Sequence, residues 1–275
     1  MTRACFSSAA RCLRLGSLGA GLFFLLMLPA AAHADRRYFL YTYSPFLDPP
    51  GEMEVETWLT AKSGKQTPGS GTQWEPRAEF EYAIHGRLGA AAYLNFVKEP
   101  GNGLKFDSPS VEFIYRLADE GKVAGDPALY LETTNSRDRL ELESKLLLAH
   151  RKNRWVSGVN LIGEFEFRHN DSELLASGVA LRREFTGEIA GGVAYEANSH
   201  VSLGLESRYR SEHANFGRQS AALVAVGPNV NLRFGETQIG LAVLPQLWGS
   251  PRTSGGRNLD AFEKVQVRAV FGIEL

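Results

Sequence analysis

Lys264-Val265-Gln266-Val267-Arg268-Ala269-Val270-Phe271-Gly272-Ile273-Glu274-Leu275 closes the chain. Val265, Val267, Ala269, Phe271, Ile273 and Leu275 fall on one parity, and Lys264, Gln266, Arg268 and Glu274 on the other. Successive side chains of a strand point to opposite faces, so one face is apolar and the other largely charged. The same alternation recurs from Glu52 onward. Segments 52–62, 74–84, 88–97, 109–117, 128–134, 140–150, 154–168, 188–197, 200–210, 220–234, 237–248 and 262–275 read as strands. In 154–168, for example, Trp155, Val159, Leu161, Phe165 and Phe167 oppose Asn160, Glu164, Glu166 and Arg168.

The connections mostly alternate in length. Those at 63–73, 98–107, 169–186, 211–219 and 249–261 are long; those at 85–87, 151–153, 198–199 and 235–236 are short. Segment 119–127 is longer, and 135–138 shorter, than the rule requires. Bacterial membrane barrels pair an even strand count with long external loops and short periplasmic turns. The expectation is an all-β, antiparallel, up-and-down transmembrane barrel of about twelve strands with both ends periplasmic. Segment 169–186 fits a helical turn as well as a strand, and two strands there would make fourteen.

Ahead of the strands lies an export signal. Arg3, Arg11 and Arg14 precede an apolar run at 18–28, Pro29 breaks it, and Ala32-His33-Ala34 is a small-x-small cleavage site. The run is too short for a spanning helix, which needs about 20 residues. Cleavage after residue 34 is expected, and both cysteines, Cys5 and Cys12, leave with the signal. The mature chain then has no thiol for a disulfide, a metal site or a nucleophile. It keeps 27 basic against 31 acidic side chains, a net charge of −4, with no basic excess for nucleic acid. Residues 35–51, rich in aromatics (Tyr38, Phe39, Tyr41, Tyr43, Phe46) and ending in Pro49-Pro50, read as an extended periplasmic lead-in to a barrel over 52–275.

Alternation is shared with soluble β-sandwiches and lipocalin-like barrels. Two features favour the membrane. The apolar parity is the more continuous and carries aromatics near strand ends, as an interfacial girdle does. The other parity holds many carboxylates at mid-strand, and a closed soluble core would bury these only at large desolvation cost.

Several stretches resemble a family of Gram-negative outer-membrane barrels with no established activity, similar to the meta-pathway phenol-degradation barrel proteins. They include Gly51-Glu52-Met53-Glu54-Val55-Glu56-Thr57-Trp58, Glu79-Phe80-Glu81-Tyr82, Ser110-Val111-Glu112-Phe113-Ile114-Tyr115-Arg116-Leu117, Ala128-Leu129-Tyr130-Leu131-Glu132 and Val243-Leu244-Pro245-Gln246. The resemblance implies an outer-membrane location and uptake of small aromatic or apolar compounds. The last strand also resembles the assembly signal of such barrels, which implies the barrel-assembly machinery as a partner beside outer-membrane lipid. That signal ends in an aromatic; here the end is Leu275, with Phe271 four residues earlier.

Catalytic candidates are weak. His200-Val201-Ser202 resembles the His-x-Ser of outer-membrane phospholipase A and lipid A deacylases, but Leu203-Gly204 stands where those have Asn-Gly. Ser211-Glu212-His213 and His169-Asn170-Asp171-Ser172 read as polar loops. The histidines show no metal-ligand spacing. The Gly187–Gly192 region alternates with apolar residues and reads as close strand packing, not as a phosphate loop. No catalytic residue, cofactor or metal is assigned, and the chain reads as a non-enzyme.

The charged parity is the candidate site. Glu54, Glu56, Glu79, Glu81, Glu112, Arg116, Glu143, Lys145, Glu164, Glu166, Arg168, Glu206, Arg208, Arg233 and Arg268 are expected to line the lumen. They could fill the bore with ion pairs, or line a polar path that selects cations or polar solutes. A dozen strands is intermediate between side-chain-filled and water-filled barrels. The leading reading is a channel or passive transporter for a small-molecule solute. A structural or adhesive barrel and a lipid hydrolase are the alternatives.

Overall fold

A computed structural model describes residues 37–67, 69–169 and 181–275. The export signal and most of segment 169–186 lie outside these. Twelve strands follow one another: β1 (Met53–Ser63), β2 (Gln73–His85), β3 (Leu88–Val97), β4 (Lys105–Arg116), β5 (Ala128–Asn135), β6 (Arg139–Lys152), β7 (Trp155–His169), β8 (Leu181–Glu196), β9 (Val201–Ala214), β10 (Gln219–Phe234), β11 (Thr237–Ser250) and β12 (Val265–Glu274). Each pairs antiparallel with its sequence neighbours, and β1 closes on β12 from Glu54↔Glu274 to Ser63↔Val265. Closure satisfies every strand edge, which a hydrocarbon environment demands. The wall has twelve strands, not fourteen, because β7 pairs directly with β8 from Trp155↔Tyr195 to His169↔Leu181.

Strand β8 starts seven residues earlier than alternation implies, and β9 runs four residues further. Arg182, Arg183 and Glu184 interrupt the apolar pattern there, yet the backbone ladder continues through Glu184↔Ala214. Connections at 86–87, 153–154, 197–200 and 235–236 crowd the end that also carries Met53 and Glu274. This is called the turn end, and the opposite one the loop end.

The two parities separate as the pattern requires. Leu131 (60 % exposed), Leu205 (55 %) and Ile189 (51 %) point outward with the rest of the apolar set. On the other face Glu56, Glu79, Glu112, Lys145, Asn160 and Glu206 are buried. Water-facing walls do not show so continuous an apolar surface, whereas lipid-facing walls must.

The lead-in takes a different path from the expected one. It runs inside the bore, and Tyr38, Phe39, Leu40, Tyr41 and Thr42 are each at most 4 % exposed. The buried apolar clusters of the molecule form around it. Leu40 and Tyr41 pack with Trp58, Leu244 and Val270; Tyr38 and Phe39 pack with Val156 and Ala194; Tyr43 and Leu47 sit on Ile114, Tyr130 and Leu147. So the barrel has a conventional core, supplied by a segment that is not part of its wall.

Candidate functional site

The inner wall is cut to the shape of this segment. A Cβ at Gly192 would lie 2.6 Å from the Phe39 ring, and one at Gly158 would lie 3.1 Å from Thr42 Cγ2. Cβ atoms at Gly240 and Gly89 would come within 3.1 Å of Leu40 and Leu47. Polar wall groups hold the backbone. Glu206 accepts the amides of Leu40 (2.9 Å), Tyr41 (2.7 Å) and Thr42 (2.9 Å), and also the Asn229 side-chain amide (2.7 Å). Asn160 accepts from the Tyr43 amide (2.6 Å) and donates to its carbonyl (2.9 Å). Asn231 donates to the Tyr38 carbonyl and Arg268 to that of Leu40, each at 2.8 Å. A fully buried carboxylate is tolerable only with such a set of donors.

Beyond the segment, toward the loop end, the bore opens into a cavity of about 810 Å³. Tyr41, Tyr43, Trp58 and Arg268 form its floor. Its wall carries glutamates in register. Glu132, Glu143 and Glu164 are direct cross-strand partners on β5 to β7, with Glu112 of β4 extending the row into the buried region around the segment, and Glu141, Glu166 and Glu184 form a second row on β6 to β8. Like charges directly opposite repel, so each row needs cations within reach. Lys145 lies 2.8 Å from Glu143 and 3.7 Å from the ring centroids of both Tyr43 and Tyr130. The ammonium thus faces two aromatic rings as well as its carboxylate. Arg208 grips Glu188 through two 2.7 Å bonds. Arg210 lies 3.2 to 3.9 Å from Glu212, Glu164 and Glu188, and Arg139 bonds Asp107 at 2.9 Å near Glu141 and Glu166.

The expected lumen residues divide into three groups. Glu143, Lys145, Glu164, Glu166, Arg168, Arg208 and Arg268 line the cavity. Glu54, Glu56, Glu79, Glu112 and Glu206 are buried on the same face around the inserted segment, with Glu81 half-buried opposite Glu54. Arg116 and Arg233 sit at the turn-end rim, where Arg116 donates to the Gly86 carbonyl and Arg233 pairs with Glu274 at 3.0 Å. Glu132, Arg139, Glu141, Glu188 and Arg210 also line the cavity and were not singled out. Glu141 was legible, since it shares the parity of Glu143. Glu132 was not, because its strand-mates on that parity are Ala128 and Tyr130.

The His-x-Ser candidate is not assembled. The His200 ring bonds the Arg233 carbonyl (3.0 Å) and stacks on Phe234, while Ser202 is buried in the bore. Ser211 Oγ does meet His213 Nε2 at 2.9 Å, and His213 Nδ1 meets the Gly217 carbonyl at 3.1 Å. On the outer wall an apolar depression lies over Thr57, Leu59, Ala78, Phe96, Ala269 and Phe271.

Comparison with known proteins places the architecture. A family model described as a family of unknown function (DUF6662) matches residues 31–115. No match was found among curated protein sequences. Among solved structures, the COG4313 outer membrane channel from Pseudomonas putida F1 is similar, with a TM-score of 0.58 and 12 % identity over 86 % of this chain and 100 % of that one. The NanC porin gives 0.52 and 13 % identity over 81 % and 100 %. Identities this low speak for the fold alone: the chain has the closed barrel of outer-membrane channels and porins.

Proposed function

We propose that the protein is an outer-membrane channel for small polar solutes, with an acidic, ion-paired bore in which the N-terminal segment is a resident plug. The observation that carries this reading is the cavity wall itself. Two in-register rows of glutamates, each offset by arginine or lysine, line a space of about 810 Å³. Closely spaced fixed charges in a low-dielectric tube favour passage of polar and cationic solutes. They disfavour the aromatic and apolar compounds that family resemblance implies. The channel and porin folds of the structural neighbours support the same class.

The plug favours a second reading, a structural barrel whose bore is permanently filled. Residues 38–42 are buried as deeply as any core. Planar-bilayer recordings on the full chain and on a variant lacking residues 38–47 separate the two. The channel reading expects low conductance from the first, and higher, cation-selective conductance from the second. Absence of conductance from both, with intact heat-modifiable barrels, would leave only the structural reading.

A further inference from the structure

Arg37 sits in a box that the wall builds and the plug fills. Its guanidinium carbon lies 4.7 Å from the Trp58 ring centroid. Its Nε and Nη2 donate to the two oxygens of Glu56 at 2.9 and 2.8 Å. The Glu56 side chain is fully buried. Gln238 donates to both Glu56 (3.2 Å) and Glu54, and the Trp58 indole donates to Glu79 at 2.7 Å. These wall groups come from β1, β2 and β11 and are locked to one another. Only the guanidinium belongs to a segment outside the sheet.

The charge arrangement in the wall makes this unusual. Glu56 faces Glu79, and Glu54 faces Glu81, directly across β1 and β2. Such pairs call for a counter-ion. Elsewhere the wall supplies its own: Glu188 is gripped by Arg208 from the neighbouring strand. At Glu56 the bidentate cation comes from the plug, beside an aromatic face. A carboxylate fork with a stacked indole matches a planar guanidinium, and fits the compact, strongly hydrated ammonium of lysine less well.

We infer that Trp58, Glu56 and Gln238 form a binding site for guanidinium-bearing solutes, and that Arg37 is its tethered pseudo-ligand. The relevance of the site to transport rests on the channel reading above; its existence does not. A solute that occupies the seat displaces Arg37 and takes one contact of the plug away, so the ligand and Arg37 compete for one seat and ligand entry favours plug release.

Calorimetric titration of the detergent-purified protein with methylguanidinium tests this without requiring any current. Arg37→Ala should bind methylguanidinium at least about tenfold more tightly than the intact protein, as expected when a charge-assisted bidentate contact no longer competes. Glu56→Gln added to Arg37→Ala should remove that gain, and methylammonium should bind about tenfold more weakly than methylguanidinium. Glu56→Gln is isosteric, and unchanged heat-modifiable migration on gels certifies each barrel. Equal affinities for the intact protein and Arg37→Ala, insensitivity to Glu56→Gln, or equal binding of methylammonium would each overturn the inference. Binding without conductance overturns the channel reading alone; conductance without binding overturns this one alone.

Discussion

The Phe39 ring lies against the bare backbone of Gly192, so close that a Cβ on the glycine would stand 2.6 Å from it. Gly192 has no left-handed φ, and its strand partner in β7 is Gly158. The missing side chain therefore reflects the plug and not the backbone. Gly192→Val should fold as a barrel and fail to seat residues 38–43. Overpacking of this kind costs about 1–3 kcal/mol, and the strand ladder outlasts the inserted segment. The expected result is raised conductance and new protease cleavage near Tyr38. Gly191→Val, on the outer face of the same strand, should change neither. A Gly192→Val protein indistinguishable from the parent would count against a displaceable plug.

Glu206 is the main latch on the same segment. It accepts three consecutive amides and the Asn229 side chain while wholly buried. Hydrogen bonds to a charged group each contribute about 1.5–3 kcal/mol. Glu206→Gln keeps the shape, removes one acceptor oxygen and turns an N–H₂ toward the donors. Plug release should rise, read as faster deuterium exchange of the Leu40, Tyr41 and Thr42 amides with exchange of β9 unchanged. Equal protection in the two proteins would contradict the assignment.

The barrel was legible from parity because lipid and bore each demand one chemistry along a whole strand. Val265 to Leu275 carry that rule almost without exception, and the strand order follows from connection length. The plug was not legible. Tyr38-Phe39-Leu40-Tyr41 is apolar on both parities and so lacks the apolar/polar alternation that marks the wall strands, and the segment's partners lie about 115 to 200 residues away in Asn160, Glu206 and Asn231. The clue was in the wall: Gly158, Gly192 and Gly240 interrupt inward-facing positions where a bore lined only by side chains would carry larger ones. Taken as close strand packing, the Gly187–Gly192 region pointed to the sheet and away from its occupant. Ion-pair partners such as Arg208 with Glu188 were likewise hidden, since register between strands is set by turn and bulge geometry that parity does not contain.

Arg208 and Glu188 allow the ion-paired bore to be tested on stability. Two 2.7 Å bonds join them, Arg208 also reaches Gln266 at 2.9 Å, and the Glu188 side chain is 5 % exposed. Removing one partner of a buried pair leaves an uncompensated charge, a loss of about 3–5 kcal/mol. Arg210, 3.9 Å from Glu188, should hold Arg208→Gln to the lower end of that range. Adding Glu188→Gln should return most of the loss. Urea unfolding midpoints in detergent report both, and a double variant as unstable as Arg208→Gln alone would show that the pair is not what matters there.

Leu131 decides what the outer wall touches. It is 60 % exposed, four residues into β5, between Phe113 on β4 and Ser144 on β6. An arginine on the lipid face near the bilayer midplane costs about 2–4 kcal/mol, falling to about 0–1 kcal/mol near the interfaces. Leu131→Arg should therefore destabilise the barrel in phospholipid vesicles by about 2 kcal/mol or more, measured by reversible urea titration of tryptophan emission. Leu129→Arg, two residues nearer the turn end, should be milder. A wall facing water would accept both arginines without measurable change. That outcome would place the apolar parity in solvent, and with it the carboxylate rows would lose the low-dielectric surroundings on which selection of polar solutes depends.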